Sequence, residues 1–240
     1  MYAKIDFSNI DPSWTLQTSG EQERIDVLSD RAFVEAGGHP ASTHYARIRQ
    51  TEIEILPDVL FTLESDIELP EDFYSKQTSY LRLIGTDNYN ISRDTNAWRI
   101  FLCIYADQLP RLIAQHQNYT NDLLWVGDKK LPLGKHKYDL VIRASQELPL
   151  TELYIDGIMI ANSLLPNIPV TLYPEEKIMT RFIFGIDGAA SYDTHSINLV
   201  VHSASILEGN PIKSDGCLPT TLKTLFSTKY KSNQYKFNTI

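Results

Sequence analysis

The dipeptide Asp156-Gly157 constrains the fold of this chain more than any other feature of the sequence. It lies between two runs, residues 152–155 and 158–161, that are rich in β-branched and aromatic residues. Asp and Gly both tolerate the positive φ angles that a type I′ hairpin turn requires at its two central positions. Another apolar run, residues 138–145, comes just before. The sequence therefore predicts β-hairpin structure over residues 138–161.

The rest of the chain also has the pattern of short β-strands. Residues 59–69 alternate, so that Phe61, Leu63 and Ile67 face one side while the acidic residues between them face the other. Turn residues recur often, no repeat of 30–40 residues is visible, and long helical segments do not alternate with the strands. The pattern predicts an all-β antiparallel sandwich of about ten strands. Residues 21–28 and 220–230 are predicted as short helices.

Composition excludes several classes of partner. The net charge is −8, whereas binding to nucleic acid or to an anionic membrane surface needs concentrated Lys and Arg. No apolar run approaches the roughly 20 residues of a membrane span. The first residues lack the pattern of a signal peptide, so we expect synthesis in the cytoplasm without one. We therefore expect neither a nucleic-acid nor a membrane partner.

The two cysteines and the absence of a linker bear on domain organisation. Cys103 lies within an apolar run and is predicted to be a buried thiol, and with Cys217 it allows at most one disulfide. No Pro/Gly/Ser-rich linker divides the chain. We expect one sandwich domain over residues 1–216, followed by a short helix and an extended C-terminal arm over residues 217–240.

Several segments of the sequence resemble one known fold family. Residues 133–142 and 153–158, with Leu153-Tyr154-Ile155-Asp156-Gly157, are similar to the central hairpin of concanavalin A-like jelly rolls of the laminin-G, pentraxin and glucanase type. Residues 61–73 resemble an earlier strand of that fold, and residues 197–206 its late strand that returns beside the N-terminal one. The resemblance implies a jelly-roll β-sandwich. It does not choose an activity, because lectins, hydrolases, lyases and structural modules share this fold.

Glu64, Asp66 and Glu68 are the candidate residues for glycoside hydrolysis. They stand in a Glu-x-Asp-x-Glu arrangement that resembles the glucanase motif, with Glu64 as nucleophile and Glu68 as acid/base. On a flat strand, however, residues four apart lie roughly 13 Å from each other. The aromatic and glycine-rich surroundings of a sugar cleft are also absent. The alternative is a solvated outer face of the strand.

His116 is the candidate base for a polysaccharide lyase. Gln115-His116 resembles the Gln-x-His of alginate-lyase-type jelly rolls, with the His one position early. In such enzymes a cation neutralises a uronate, a base removes the C5 proton and an acid protonates the leaving oxygen. Arg47 and Arg49 would serve as neutralisers, and Tyr230 or Tyr235 as acid. The alternative is an ordinary histidine at the edge of a strand.

Two loops supply candidate ligand contacts. Residues 87–96 are rich in oxygen ligands, but their spacing matches neither an EF-hand nor a legume lectin, so we expect no metal or other cofactor, with Ca²⁺ as the alternative. Trp125, predicted in a loop, would stack on a sugar or simply pack. The predicted ligand-binding residues are Asn88, Asn90, Arg99, Gln115 and Trp125.

Together these features favour a non-catalytic carbohydrate-binding or assembly module. The C-terminal arm carries four lysines and several aromatic residues, which suggests docking on its own domain or on a neighbouring subunit. We expect a homo-oligomer with a glycan or protein partner, such as a subunit of a phage tail, capsid or other virion particle. The alternative function is a polysaccharide-degrading enzyme, either a glycoside hydrolase or a polysaccharide lyase. A third is an intracellular protein scaffold.

Overall fold

The structure is a computed structural model that describes residues 2–37, 44–55, 59–77, 80–87, 99–115, 121–143, 150–163, 178–188 and 195–214. The chain divides into two compact units, Met1–Gly209 and Asn210–Ile240. The described part of the second unit contains one short helix, Pro211–Ser214. Among the described residues, no helix has the length and apolar character needed to cross a membrane.

The first unit consists almost entirely of strands. A single turn of helix, α1 (Phe73–Lys76), interrupts them. In chain order the strands are β1 (Ala3–Lys4), β2 (Trp14–Thr18), β3 (Arg24–Leu28), β4 (Arg31–Gly37), β5 (Tyr45–Ile55), β6 (Leu60–Leu69), β7 (Leu81–Asp87), β8 (Arg99–Ile104), β9 (Pro110–Gln115), β10 (Asn121–Val126), β11 (Gly134–Arg143), β12 (Leu150–Ile155), β13 (Ile158–Ser163), β14 (Ile178–Asp187), β15 (Ser196–Val201) and β16 (Ser205–Glu208).

These strands form two antiparallel sheets. Sheet A has the order β13-β12-β11-β6-β15-β4-β3, with β16 beside β6 and β1 beside β16; sheet B has the order β10-β9-β8-β7-β14-β5-β2. Each sheet turns one face, its inner face, toward a shared apolar core and the other, its outer face, away from that core. Residues 197–206, predicted as one late strand beside the N-terminal one, belong to two strands: β15 pairs with β4 and β6, and the start of β16 pairs with β1. The predicted all-β antiparallel sandwich is confirmed.

The hairpin predicted from Asp156-Gly157 is present. Asp156 and Gly157 have φ angles of 51° and 76°, and they join β12 to β13. The Asp156 carboxylate also accepts hydrogen bonds from the Lys137 backbone N–H at 3.0 Å and from His136 Nδ1 at 2.6 Å. The turn therefore fastens the hairpin to β11.

The predicted helix over residues 21–28 is wrong. Arg24–Leu28 is strand β3, which pairs antiparallel with β4. Its polar and apolar residues alternate with period two, and Ile25 lies opposite the buried Val34. A helix this short is marginal in water, so the pairing with β4 decides the structure. The predicted helix over residues 220–230 lies outside the described residues.

Strand β8 shows why residues 98–105 have no clean alternation. Ile100, Leu102 and Ile104 enter the main core, whereas Phe101 and Cys103 lie in a second apolar cluster with Ile113 and Ile183. Both faces of the strand are therefore buried. Cys103 has no exposed surface, which confirms the predicted buried thiol, and burial raises its pKa to about 12.

Candidate functional site

Glu64, Asp66 and Glu68 lie on the outer face of sheet A. They alternate with the fully buried Ser65 and Ile67 along β6. Each carboxylate faces a basic side chain of a neighbouring strand or loop. The contacts are Glu64–Lys137 at 2.5 Å, Asp66–Lys135 at 3.9 Å and Glu68–His202 at 2.8 Å. This arrangement resembles a charged outer strand face, and the catalytic role of these residues stays a prediction.

Asp139 is a buried acid on the same face. It is the register partner of Glu64, and its side chain is 1% exposed. Within the described part of the chain neither of its carboxylate oxygens accepts a hydrogen bond, and its nearest cation is Lys137 Nζ at 3.8 Å. Burial therefore raises the pKa of Asp139 to about 6.

The described residues include no group of three or more His, Cys, Asp or Glu side chains that could hold a metal ion.

The outer face of sheet B carries a different set of side chains. One line of register partners crosses six strands from β5 to β10. It runs Tyr45, Asp187, Arg82, Cys103, Arg111 and Val126. We call the polar and aromatic residues on this line or directly beside it the arginine–tyrosine row. It comprises Tyr45, Arg47, Tyr80, Arg82, Tyr105, Arg111 and Asp187.

Asp187 is the centre of the arginine–tyrosine row. Arg47 Nη1 donates to Asp187 Oδ1 at 2.6 Å, and Arg82 Nε lies 3.1 Å from both Asp187 Oδ2 and its backbone oxygen. The side chains of Asp187, Arg82 and Arg47 are only 4%, 12% and 16% exposed. Gln17 Oε1 accepts hydrogen bonds from both Arg47 and Arg49. Two guanidinium groups and one carboxylate give this trio a net charge of +1 in a nearly buried position.

Aromatic rings extend the row toward β9. The guanidinium carbon of Arg82 lies 5.7 Å from the Tyr80 ring centroid, Tyr80 meets Tyr105 edge to face at 4.9 Å, and Arg111 lies 4.3 Å above Tyr105. Tyr80 and Tyr105 pack on the second apolar cluster. Burial raises the pKa values of both phenols, so they keep their protons at neutral pH. Asp107 pairs with Arg111 at 2.5 Å.

The remaining predicted site residues fall in several places. Arg99 and Gln115 are register partners across β8 and β9, and only their backbone positions are described. Trp125 belongs to strand β10 rather than to a loop, because residues 121–126 pair with β9 around a bulge next to Trp125. The predicted residues Asn88, Asn90, His116, Tyr230 and Tyr235, and with them the oxygen-rich loop, lie outside the described residues.

Sequence reasoning named Arg47 and Arg49 but missed Arg82 and Asp187. The available signal was weak, since Arg82 is one of two charged residues in β7 and Asp187 is one of two in β14, and both strands are otherwise mostly apolar. A charge in such a run indicates an outer-face position with a partner. Only the strand order β7-β14-β5 reveals that the partner of both arginines is one carboxylate.

Comparison with known proteins identifies the fold. No protein-family model and no curated protein matches this sequence. Among solved structures, an endo-β-1,4-glucuronan lyase from the fungus Trichoderma reesei superposes with a TM-score of 0.63 at 11% identity, covering 82% of this chain and 92% of its own. The fold is that of the concanavalin A-like jelly rolls. The resemblance predicted from the hairpin segments is thus confirmed at the level of fold.

Two other jelly rolls show the range of activities found on this fold. A glycoside hydrolase family 16 protein of the Bacteroides ovatus mixed-linkage glucan locus has a TM-score of 0.59 at 12% identity, covering 86% of this chain and all of its own. A pseudo β-1,3-glucanase of Mycobacterium tuberculosis, described as an immunostimulatory antigen, has a TM-score of 0.56 at 11% identity, with coverage of 87% and 98%. The structural neighbours are polysaccharide-degrading glucanases and lyases, and at this identity they share the fold alone.

Proposed function

We propose that this jelly roll degrades an anionic polysaccharide that binds along the arginine–tyrosine row. The observation that carries the proposal is the sharing of Asp187 by Arg47 and Arg82, which holds two guanidinium groups side by side in a nearly buried place. A guanidinium group presents a planar fork of donors to a carboxylate, and the interaction is stronger where water is largely excluded. The neighbouring rings of Tyr80 and Tyr105 offer apolar surface for a sugar. Uronate residues combine the carboxylate and the ring that this surface suits.

Elimination is the reaction that this arrangement supports best. An arginine that pairs with the uronate carboxylate makes the C5 proton easier to remove. A base takes that proton, the C4–O bond breaks as a C4=C5 double bond forms, and an acid protonates the leaving O4. No water is consumed. The base and the acid of this step stay the sequence predictions, His116 as base and Tyr230 or Tyr235 as acid, and all three lie outside the described residues.

Hydrolysis is less favoured because of the place of the acidic residues. A glycosidase needs two carboxyl groups about 5–5.5 Å or 6.5–9.5 Å apart beside the scissile bond. Glu64 and Glu68 are paired with Lys137 and His202 on the opposite sheet. Because this pairing argues against catalysis by Glu64 and Glu68, the second candidate function is a non-catalytic carbohydrate-binding module. Such a module would use the arginine–tyrosine row for binding alone. Nothing in the structure or in its neighbours shows the virion role or the homo-oligomer expected from the sequence.

The test is a substrate panel with two readouts. Purified protein is incubated with polyglucuronate, alginate, mixed-linkage glucan and laminarin, and both ultraviolet absorbance of unsaturated uronates and reducing ends are followed. We expect absorbance with an acidic polymer only, and a loss of at least about tenfold in kcat/KM for Arg82→Lys, because Lys lacks the fork of donors. Arg31→Gln, at an exposed arginine on sheet A, is the matched control.

The possible outcomes separate the candidate functions. Binding of an acidic polymer without new absorbance or reducing ends supports the non-catalytic module. Reducing ends from a neutral glucan that survive Arg82→Lys but not Glu64→Gln would overturn the proposal and restore the hydrolase assignment.

A further inference from the structure

We infer that a pocket around Trp125 is a second binding site for the same polysaccharide, separate from the site of cleavage. The inference rests on the proposed function for the nature of the ligand, but it involves other residues. The pocket, called the edge pocket here, has a volume of about 450 Å³. Its walls come from β10, from the following loop and from the β12–β13 hairpin, and include Trp125, Val126, Asp128, Lys129, Ile155 and Met159.

The edge pocket lies where the line of register partners through the arginine–tyrosine row ends. Arg111 on β9 is the register partner of Val126 on β10, and Val126 lines the pocket. Between β5 and β10 there are five strand spacings. At about 4.8 Å each, Arg47 and the pocket are roughly 24 Å apart across the sheet. A polymer chain along the row therefore reaches the pocket, whereas a short oligosaccharide held near Arg47 does not.

Trp125 offers a fixed aromatic surface in this pocket. Its indole packs beside Pro110 over Gly127, where an added Cβ would lie 2.8 Å from Trp125 Cη2 and 2.7 Å from Pro110 Cγ. The Gly127 N–H donates to the Pro110 carbonyl at 2.9 Å, which keeps the strand and the loop together. A rigid ring loses little conformational freedom on binding. An apolar wall with a few polar groups is typical of small-ligand sites.

The polar groups at the pocket mouth suit an acidic sugar. Asp128 and Lys129 are exposed, and within the described part of the chain neither has a hydrogen-bond or ion-pair partner. Lys130 is held by Gln108 and lies 4.8 Å from the centroid of the Tyr74 ring. Lys129 is thus available to a carboxylate and Asp128 to hydroxyl groups. The three charges sum to +1, on a chain whose net charge is −8.

Exposed apolar side chains nearby raise the alternative of a protein contact. Val126 and Ile160 are each 41% exposed, and Ile158 is 66% exposed. Charged residues are depleted at the centre of protein–protein interfaces. The adjacent Asp128 and Lys129 therefore favour the sugar, and self-association is an outcome of the test.

The test compares long and short substrates with Trp125→Ala and Lys129→Gln, and uses Ile158→Ala as an exposed apolar control. We expect Trp125→Ala to raise KM about tenfold on an acidic polymer, while its kcat and its kinetics on an acidic trisaccharide stay unchanged. Lys129→Gln, a solvent-exposed change that spares the fold, should weaken polymer affinity and lower its salt dependence. Ile158→Ala should match wild type.

Affinity electrophoresis in polyglucuronate, run beside the kinetics, distinguishes failure of the edge pocket from failure of the proposed function. Polymer cleavage with normal kinetics in both pocket variants overturns the edge pocket and leaves the proposed function intact. Retention that depends on Trp125 and Lys129 without any cleavage supports the pocket and removes the enzymatic role. Sedimentation that shows self-association lost in Trp125→Ala, with polymer retention unchanged, would overturn the sugar site in favour of a protein contact.

Discussion

Arg47 donates a hydrogen bond of 2.6 Å to Asp187, a residue 140 positions later in the chain. The same carboxylate lies 3.1 Å from Arg82. Arg47 and Arg82 belong to β5 and β7, which flank β14 on either side, and Asp187 is the last residue of β14. The position of both arginines therefore depends on one side chain of the central strand.

Replacement of Asp187 by Asn should destabilise the fold strongly. The change leaves two nearly buried guanidinium groups without their shared counter-charge, and removal of one partner from such a pair typically costs about 3–5 kcal/mol. We expect a loss of about 2–4 kcal/mol in the free energy of unfolding measured by urea titration. Asp107→Asn, which breaks the Arg111 pair at an acid that is 48% exposed, should cost less than about 1 kcal/mol. Equal losses in the two variants would contradict the central role of Asp187.

The contrast between the Asp156-Gly157 hairpin and the arginine–tyrosine row shows what the sequence can reveal. The hairpin was predictable because its determinants are two adjacent residues and the alternation beside them. The row was not, because Arg47, Arg82 and Asp187 meet through a strand order set by long-range pairing. The alternation of β6 likewise predicted the common face of Glu64, Asp66 and Glu68. It could not supply the basic partners on that face, which come from β11 and from the loop after β15.

Asp139 should make stability fall as pH rises. Its folded-state pKa is raised from 3.8 to about 6, so between these values the folded state binds more protons than the unfolded state. Stability is therefore lost from about pH 4 through pH 6, by about 2–3 kcal/mol in total. Asp139→Asn should remove this loss and be more stable than wild type at pH 8, while matching it near pH 4. Urea titrations across this range measure the difference.

Asp6 provides a control of opposite sign. Ser8 donates to its carboxylate through both its hydroxyl and its backbone N–H, which lowers the pKa of Asp6. The stability that the ionised Asp6 carboxylate contributes is present at neutral pH and is lost as pH falls. Asp6→Asn should therefore be less stable than wild type at neutral pH. A pH profile of Asp139→Asn parallel to that of wild type would show that Asp139 is not buried as described.

The effect of substitutions at Gly157 on the free energy of unfolding should depend on backbone conformation alone. Gly157 has φ of +76°, and nothing lies within 4 Å of the position where a Cβ would be. Gly157→Ala should therefore cost about 1–2 kcal/mol of unfolding free energy, since a residue with a Cβ is strained at positive φ. Gly157→Asn should cost less, because Asn tolerates this region. Thermal unfolding of the two variants measures the difference, and an equal cost would point to a lost contact rather than to strain.

Glu64 and Glu68 should be dispensable for polysaccharide cleavage if the arginine–tyrosine row is the active surface. Their side chains are 23% and 44% exposed and pair with Lys137 and His202, so each pair should contribute only about 0–1 kcal/mol to stability. Glu64→Gln and Glu68→Gln should thus fold normally and retain wild-type kcat/KM on an acidic polymer, because neither residue lies on sheet B. The measurement is initial-rate kinetics of the two variants beside Arg82→Lys. A loss of a hundredfold or more in Glu64→Gln, with stability unchanged, would place the chemistry on sheet A, because removal of a nucleophile or acid/base affects the rate far more than the fold.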